Sequence, residues 1–153
     1  MLIDVELKLM GLNNVKQLDT HGDAVDLPCR AVELDKEKGN LIKVSTGVAL
    51  AAPFGSLLLE RSSTYLRYKI KLVNSVGLID SNYRGEIIGY FQSDSNTMSE
   101  EQIVENLKKL NEEAPLRILQ LYPFPYGCRG INFKYVSDLP MSDRKGGFGS
   151  SGI

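Results

Sequence analysis

The sequence predicts an all-β domain, a sandwich or barrel, with one inserted helix and a flexible glycine-rich C-terminal arm. Three observations predict it. Apolar residues alternate with charged ones in several short runs, turn formers separate those runs at frequent intervals, and a single long stretch carries helical periodicity instead.

The elements follow in order. Ile3, Val5, Leu7 and Leu9 alternate with Asp4, Glu6 and Lys8, a period-two strand pattern. LIKVSTGVAL, SLLLE, EIIGYF and RILQLYPF add shorter apolar runs. Tyr68, Ile70 and Leu72 alternate with Arg67, Lys69 and Lys71, and Ile131, Phe133 and Tyr135 alternate with Asn132 and Lys134. KGN at 38–40, APFG at 52–55, SNYRG at 81–85 and PYG at 125–127 supply turns.

From Ser99, SEEQIVENLKKLNEEAP reads as a helix. Ser99 caps it and Gln102 completes a capping box. Ile103, Val104, Leu107 and Leu110 share one face, Glu105 and Lys109 pair at i,i+4, and Pro115 ends it. That apolar stripe is expected to pack on its own subunit in preference to a protein partner. The chain ends in DRKGGFGSSGI, whose glycines and serines cannot fill a core.

Composition narrows the class. The chain has 153 residues, 42% of them apolar and 24% charged, enough for one domain with a real core. A net charge of -1 gives no field for nucleic acid or an anionic membrane. No apolar run approaches the ~20 residues that span a bilayer. MLIDVELKLM lacks a basic leader, so the expected location is the cytoplasm, or the host cytoplasm for a viral chain. Cys29 and Cys128 have no metal-type spacing, and a reducing compartment disfavours a disulfide between them. His21 is the only histidine, which removes an HExxH-type zinc site. It sits in the turn-like THGD and reads as a loop residue, so a general base is sought among carboxylates.

Four stretches could carry chemistry. VNSVGLIDSNYRGEI at 73–87 places polar residues around Asp80 at a strand end, where a β scaffold can present a carboxylate; the same residues are ordinary turn formers. Arg61, Ser62 and Ser63 suit phosphate oxygens, and equally a solvated turn. In RILQL, Gln120 is polar within an apolar strand and needs a hydrogen-bond partner when buried. In the tail, Arg144 and Lys145 offer charge, and Phe148 between glycines could stack on a flat ring.

Taken in order, these stretches resemble the five motifs of the trimeric dUTPase family. GDAVDL at 22–27 looks like the first, RSS at 61–63 the second, NSVGLIDSNYRGE at 74–86 the third, RILQL the fourth and RKGGFGSSG at 144–152 the fifth. The third is the most specific. The resemblance covers most of the chain apart from the helical insert, about 99–113. It implies a jelly-roll-like β domain over 1–142 and an arm, 143–153, that closes over an active site in a homotrimer with shared sites.

The family's reaction is hydrolysis of dUTP to dUMP and pyrophosphate. On this pattern Asp80 would activate the attacking water. Asn74 and the turn through Gly77, Leu78 and Ile79 would read uracil, and Tyr83 would pack under the deoxyribose. Arg61, Ser62, Ser63, Gln120 and Arg144 would hold phosphates and Phe148 would stack on the base, with Asp26 in support. Mg²⁺ would be held mainly by substrate phosphates and water, with no direct protein ligand. A dCTP deaminase, or a bifunctional relative, shares the fold and arm. That family prefers Trp-Ile-Asp-Pro-x-Phe where this chain has Leu78-Ile79-Asp80-Ser81-Asn82-Tyr83. The alternative of another class is a non-catalytic dUTPase-like nucleotide-binding or regulatory protein.

Overall fold

The computed structural model of the chain describes residues 2–20, 22–125 and 127–143. Along them run strands β1 (Ile3–Leu9), β2 (Val25–Leu27), β3 (Ala31–Asp35), β4 (Leu41–Ser45), β5 (Val48–Ala51) and β6 (Ser56–Glu60). Helix α1 (Ser62–Tyr68) follows, then β7 (Ile70–Leu72), β8 (Gly77–Ile79), β9 (Ile88–Ser93), helix α2 (Glu100–Glu113), β10 (Leu119–Pro123) and β11 (Ile131–Tyr135). Arg144 and Phe148 of the arm, and His21, lie outside the described residues.

The strands form three sheets, in the orders β11-β1-β5, β2-β10-β6-β8 and β3-β4-β9-β7. Pairing is antiparallel except between β1 and β11, where Ile3 to Leu7 run parallel to Ile131 to Tyr135. The all-β class expected from the patterning is the class observed, in the jelly-roll-like form that the resemblance implies. Alternation places Val5 and Leu7 inward, with Ile42 and Val44 of β4, Phe91 of β9 and Leu121 of β10 fully buried in the same core.

Gly47 joins β4 to β5 with φ 71°, and a Cβ there would stand 2.5 Å from the Met10 carbonyl oxygen. Only glycine allows this approach of backbone to backbone. Beside it, buried Thr46 donates its hydroxyl to the Ile87 carbonyl at 2.7 Å, tying this turn to the start of β9.

α2 forms where expected. Ser99 Oγ accepts from the Gln102 N–H at 3.2 Å and Gln102 Oε1 accepts from the Ser99 N–H at 2.9 Å, closing the capping box. Ile103, Val104 and Leu107 are buried, and the helix packs against β3, β4 and β9 of its own chain. Two details differ from the sequence reading. Leu110 is 42% exposed because it lies at the end of the stripe, beyond the sheet. Glu105 meets Lys108, at 3.8 Å, instead of Lys109.

α1 is a correction, since one helix is expected and the described residues hold two. Its only buried residue is Thr64, and Leu66 is 70% exposed, so it carries no apolar stripe that periodicity could reveal. Tyr68 therefore belongs to a helix and not to a strand. Lys69 caps the helix in the left-handed region at φ 55°, and the strand begins only at Ile70.

Candidate active site

The sequence-nominated residues gather at two places. At the first, strand register brings three motifs together. Asp26 of β2 lies opposite Gln120 of β10, and Gln120 lies opposite Leu59 of β6, whose end leads into Arg61. Arg61 Nε meets Asp26 Oδ1 at 3.1 Å and its Nη1 donates to the Arg117 carbonyl at 2.9 Å. Arg117 Nη1 lies 3.7 Å from Asp26 Oδ2 and 3.0 Å from Asp19 Oδ2. Gln120, half-buried, donates through Nε2 to the Glu60 carbonyl at 3.2 Å, the hydrogen bond that its setting in an apolar strand demands.

Ser62 and Ser63 open α1 ahead of any carbonyl of the helix that their N–H groups could meet, and the Thr64 N–H turns back to the Arg61 carbonyl at 3.0 Å. The Thr64 hydroxyl donates to the Ile118 carbonyl at 2.7 Å and fixes that first turn to β10. The result is a pair of guanidiniums with hydroxyls and helix-start N–H groups beside them. Forked cations and backbone donors of this kind suit phosphate oxygens. A groove of about 460 Å³ lined by Arg61, Ser63, Arg67 and Arg117, among others, opens alongside.

The second place is the loop after β8. Asn74 and Ser75 turn the chain from β7 into β8, with Ser75 at φ 60°. β7 pairs with β9 and β8 with β6, so this turn passes between two sheets. The strands that flank the turn do not pair with each other, and the Val73 N–H donates to the Tyr90 carbonyl across the third sheet. Gly77 is buried, and a Cβ there would meet Leu58 Cβ at 3.1 Å and Asn74 Nδ2 at 3.6 Å. A small residue at that spot leaves the Asn74 amide close to the strand backbone. Val76 and Leu78 are exposed apolar side chains on the same turn and strand.

Asp80 follows β8 and is exposed. Tyr83 returns toward it, its N–H bonding the Asp80 carbonyl at 3.0 Å, while its hydroxyl donates to the Glu86 carbonyl at 2.8 Å. Arg84 donates to the Ser81 carbonyl at 2.7 Å and to the Pro140 carbonyl at 3.0 Å. Ser142 Oγ bonds the Asn82 carbonyl at 2.5 Å, so the residues that lead into the arm are fastened to the Asp80 loop.

The two places are far apart in one chain. Ile79 lies opposite Ser56, the first residue of β6, whereas Arg61 follows its last. At a rise of about 3.3 Å per residue, Asp80 and Arg61 stand roughly 20 Å apart along the strand direction.

Sequence reading places Arg117 only on one face of a strand and assigns Arg30 and Glu86 no role. RILQL follows Pro115-Leu116, and only the fold reveals that its arginine crosses to β2 and meets Asp26.

Comparison with known proteins bears on this arrangement. No family model matches the chain. It is 36% identical over 141 residues to the deoxyuridine 5'-triphosphate nucleotidohydrolase of Dictyoglomus turgidum, covering 88% of this chain and 87% of that protein. The chain belongs to the deoxyuridine 5'-triphosphate nucleotidohydrolase family. The enzyme of that name from Escherichia phage T5 is 38% identical over 117 residues, covering 74% of this chain and 70% of the other. Among solved structures, the dUTPase of Staphylococcus bacteriophage 80alpha superposes with a TM-score of 0.54 at 14% identity, over 94% of this chain and 98% of that one. That likeness shows the fold.

Proposed function

We propose that the chain hydrolyses dUTP to dUMP and pyrophosphate. The observation that carries this reading is its identity with deoxyuridine 5'-triphosphate nucleotidohydrolases across most of its length. The same identity makes a deaminase or a non-catalytic nucleotide-binding role the weaker reading.

Asp80 accepts a proton from water as the oxygen attacks the α-phosphorus. The bond from that phosphorus to the α,β-bridging oxygen breaks, and pyrophosphate departs. A carboxylate can do this when the water sits within ~2.6–3.2 Å of it. Asn74 and the backbone of Gly77, Leu78 and Ile79 read the uracil edge, and Tyr83 packs against the deoxyribose. Arg61, Ser62, Ser63 and Gln120 hold the phosphate chain, with Asp26 keeping the Arg61 fork aimed. Arg144 and Phe148 complete these contacts as the arm, 143–153, closes and excludes water.

Among the described residues there is no cluster of three or more His, Cys, Asp and Glu side chains. The carboxylate of the phosphate half, Asp26, is paired with arginines. This donor set fits a Mg²⁺ ion carried by phosphate oxygens and water, as suits a hard cation that sheds water reluctantly. When bound, such an ion would supply charge neutralisation at the phosphates.

The span between Asp80 and Arg61 supports a homotrimer in which each site takes Asp80 from one subunit and Arg61 from a neighbour. Among the described residues no helix is long and apolar enough to cross a membrane.

The test is pyrophosphate release from dUTP, dCTP, dTTP and UTP with Mg²⁺, with ammonia monitored in the dCTP run. Release from dUTP alone is expected, and Asp80→Asn is expected to lower its kcat by about 10²–10⁴. Ammonia from dCTP, or an Asp80→Asn variant as fast as the parent, would overturn the reading.

A further inference from the structure

Glu86 makes more strong hydrogen bonds than a strand-end glutamate needs. Its Oε2 accepts the Gly47 N–H at 2.7 Å and Arg30 Nε at 2.8 Å, and its Oε1 accepts Arg30 Nη2 at 3.0 Å. The pair is bidentate and half-shielded, with side chains 35% exposed for Arg30 and 18% for Glu86. Charge-assisted forks of this kind are short and directional. The hydrogen-bonded Glu86 carboxylate also raises the Arg30 pKa above its ordinary value.

Both partners are anchored from behind. The Arg30 N–H donates to the Ser45 carbonyl at 2.7 Å. Its side-chain stem lies over Gly11, where a Cβ would come within 2.7 Å of Arg30 Cδ. The next residue, Ile87, bonds Val48 through its N–H at 2.8 Å and receives Thr46 through its carbonyl.

Tyr83 is held from this same point. Its hydroxyl donates to the Glu86 backbone carbonyl at 2.8 Å. Its ring lies across Gly85, where a Cβ would stand 2.5 Å from the phenolic oxygen and 2.6 Å from Cζ. The ring's height and tilt therefore follow the backbone of Gly85 and Glu86, and that backbone is fixed by the Glu86 carboxylate.

The geometry points to Glu86, clamped by Arg30 and the Gly47 N–H, as a positioning residue that sets how closely Tyr83 approaches the sugar, and so sets selection against a 2′-hydroxyl. This role rests on the reading of Tyr83 as the neighbour of the deoxyribose. A 2′-oxygen is small, so a ring displaced by less than an ångström changes what fits. Neither Glu86 nor Arg30 touches the reacting atoms.

The experiment measures kcat/KM for dUTP and for UTP, by pyrophosphate release, in the parent and in Glu86→Ala, Glu86→Gln, Arg30→Met, Tyr83→Phe and Tyr83→Ala. Thermal melts accompany each protein. Glu86→Ala is expected to lower the dUTP:UTP ratio about tenfold, equal to ~1.4 kcal/mol of discrimination. Glu86→Gln keeps an acceptor for Gly47 and is expected to lose less. Arg30→Met, which keeps the stem over Gly11, is expected to fall between them. Tyr83→Phe keeps the ring, loses its tether, and is expected to follow Glu86→Ala.

A purely structural Glu86 would slow both substrates in proportion and leave the ratio unchanged, which would overturn the inference. If Glu86→Ala does not fold, the ratios of Glu86→Gln and Arg30→Met decide. A ratio that falls in Tyr83→Ala but in neither Glu86 variant nor Arg30→Met overturns the positioning role alone. A ratio unmoved in Tyr83→Ala overturns the reading of Tyr83 and the positioning role with it.

Discussion

Asp26 forms an ion pair with Arg61 through one oxygen, and its other oxygen lies 3.7 Å from Arg117, which donates its hydrogen bond to Asp19 instead, so two carboxylates hold the two guanidiniums of the phosphate half. Sequence suggests that Arg61 and Asp26 belong to one site, because each falls in its own motif. Arg117 also falls in a motif, RILQL, but its approach to Asp26 is made only when β2 and β10 pair. The cysteines carry a sharper expectation. Burial pushes the Cys29 thiol up to about 12 and Cys128 up to about 11. Both are free thiols, as a reducing compartment would keep them. The neutral form is the one favoured on folding, so the Cys29 contribution to stability is whole below its ordinary value of 9.0. It is lost as pH rises toward about 12. Native protein at pH 8 is expected to resist iodoacetamide at both thiols, while urea-unfolded protein reacts at both. Prompt labelling of the native protein, read by mass spectrometry, would contradict that burial.

The two helices differ in why they exist. α2 is written in the sequence twice, once by its capping box and once by an apolar stripe, and both signals are local. α1 is written in neither way. It forms because Thr64 reaches the Ile118 carbonyl and the Arg61 N–H does the same, contacts with a strand more than fifty residues away. Tertiary hydrogen bonds of that kind leave no periodic trace, which is why Tyr68 reads as part of a strand. The pairing of the strands on either side of the turn at Asn74 is hidden for a similar reason, because the choice of partner strand is not a local property. For α2 the balance of cap and packing can be measured. Leu107→Ala removes a side chain only 1% exposed and is expected to cost about 2–4 kcal/mol of unfolding free energy. Ser99→Ala is expected to cost ~1 kcal/mol. Urea titrations of both variants check the order, and equal losses would mean that the docked face contributes less than its burial implies.

A single chain holds the groups of the proposed site at opposite ends of β6, and this gives the proposed trimer a direct test. Asp80→Asn and Arg61→Ala proteins are each expected to lose activity when assembled alone. Co-refolded in equal amounts, random assortment leaves about a quarter of the sites with both groups intact. Recovery of activity near that fraction is expected. No recovery, with mixed trimers verified by native mass spectrometry, would place both groups of each site in one subunit.

The parallel pairing of β1 with β11 has a consequence for how the chain is made. β5 follows β1 closely and covers one of its edges, but the other edge pairs with residues 131–135, far downstream in the chain. Until β11 has been made, β1 therefore carries an open ladder, the kind of edge through which chains join their neighbours. A nascent chain halted before Ile131 cannot seal that edge from within. Until β11 docks, protection of that edge falls to rapid completion of the chain or to a chaperone holding β1.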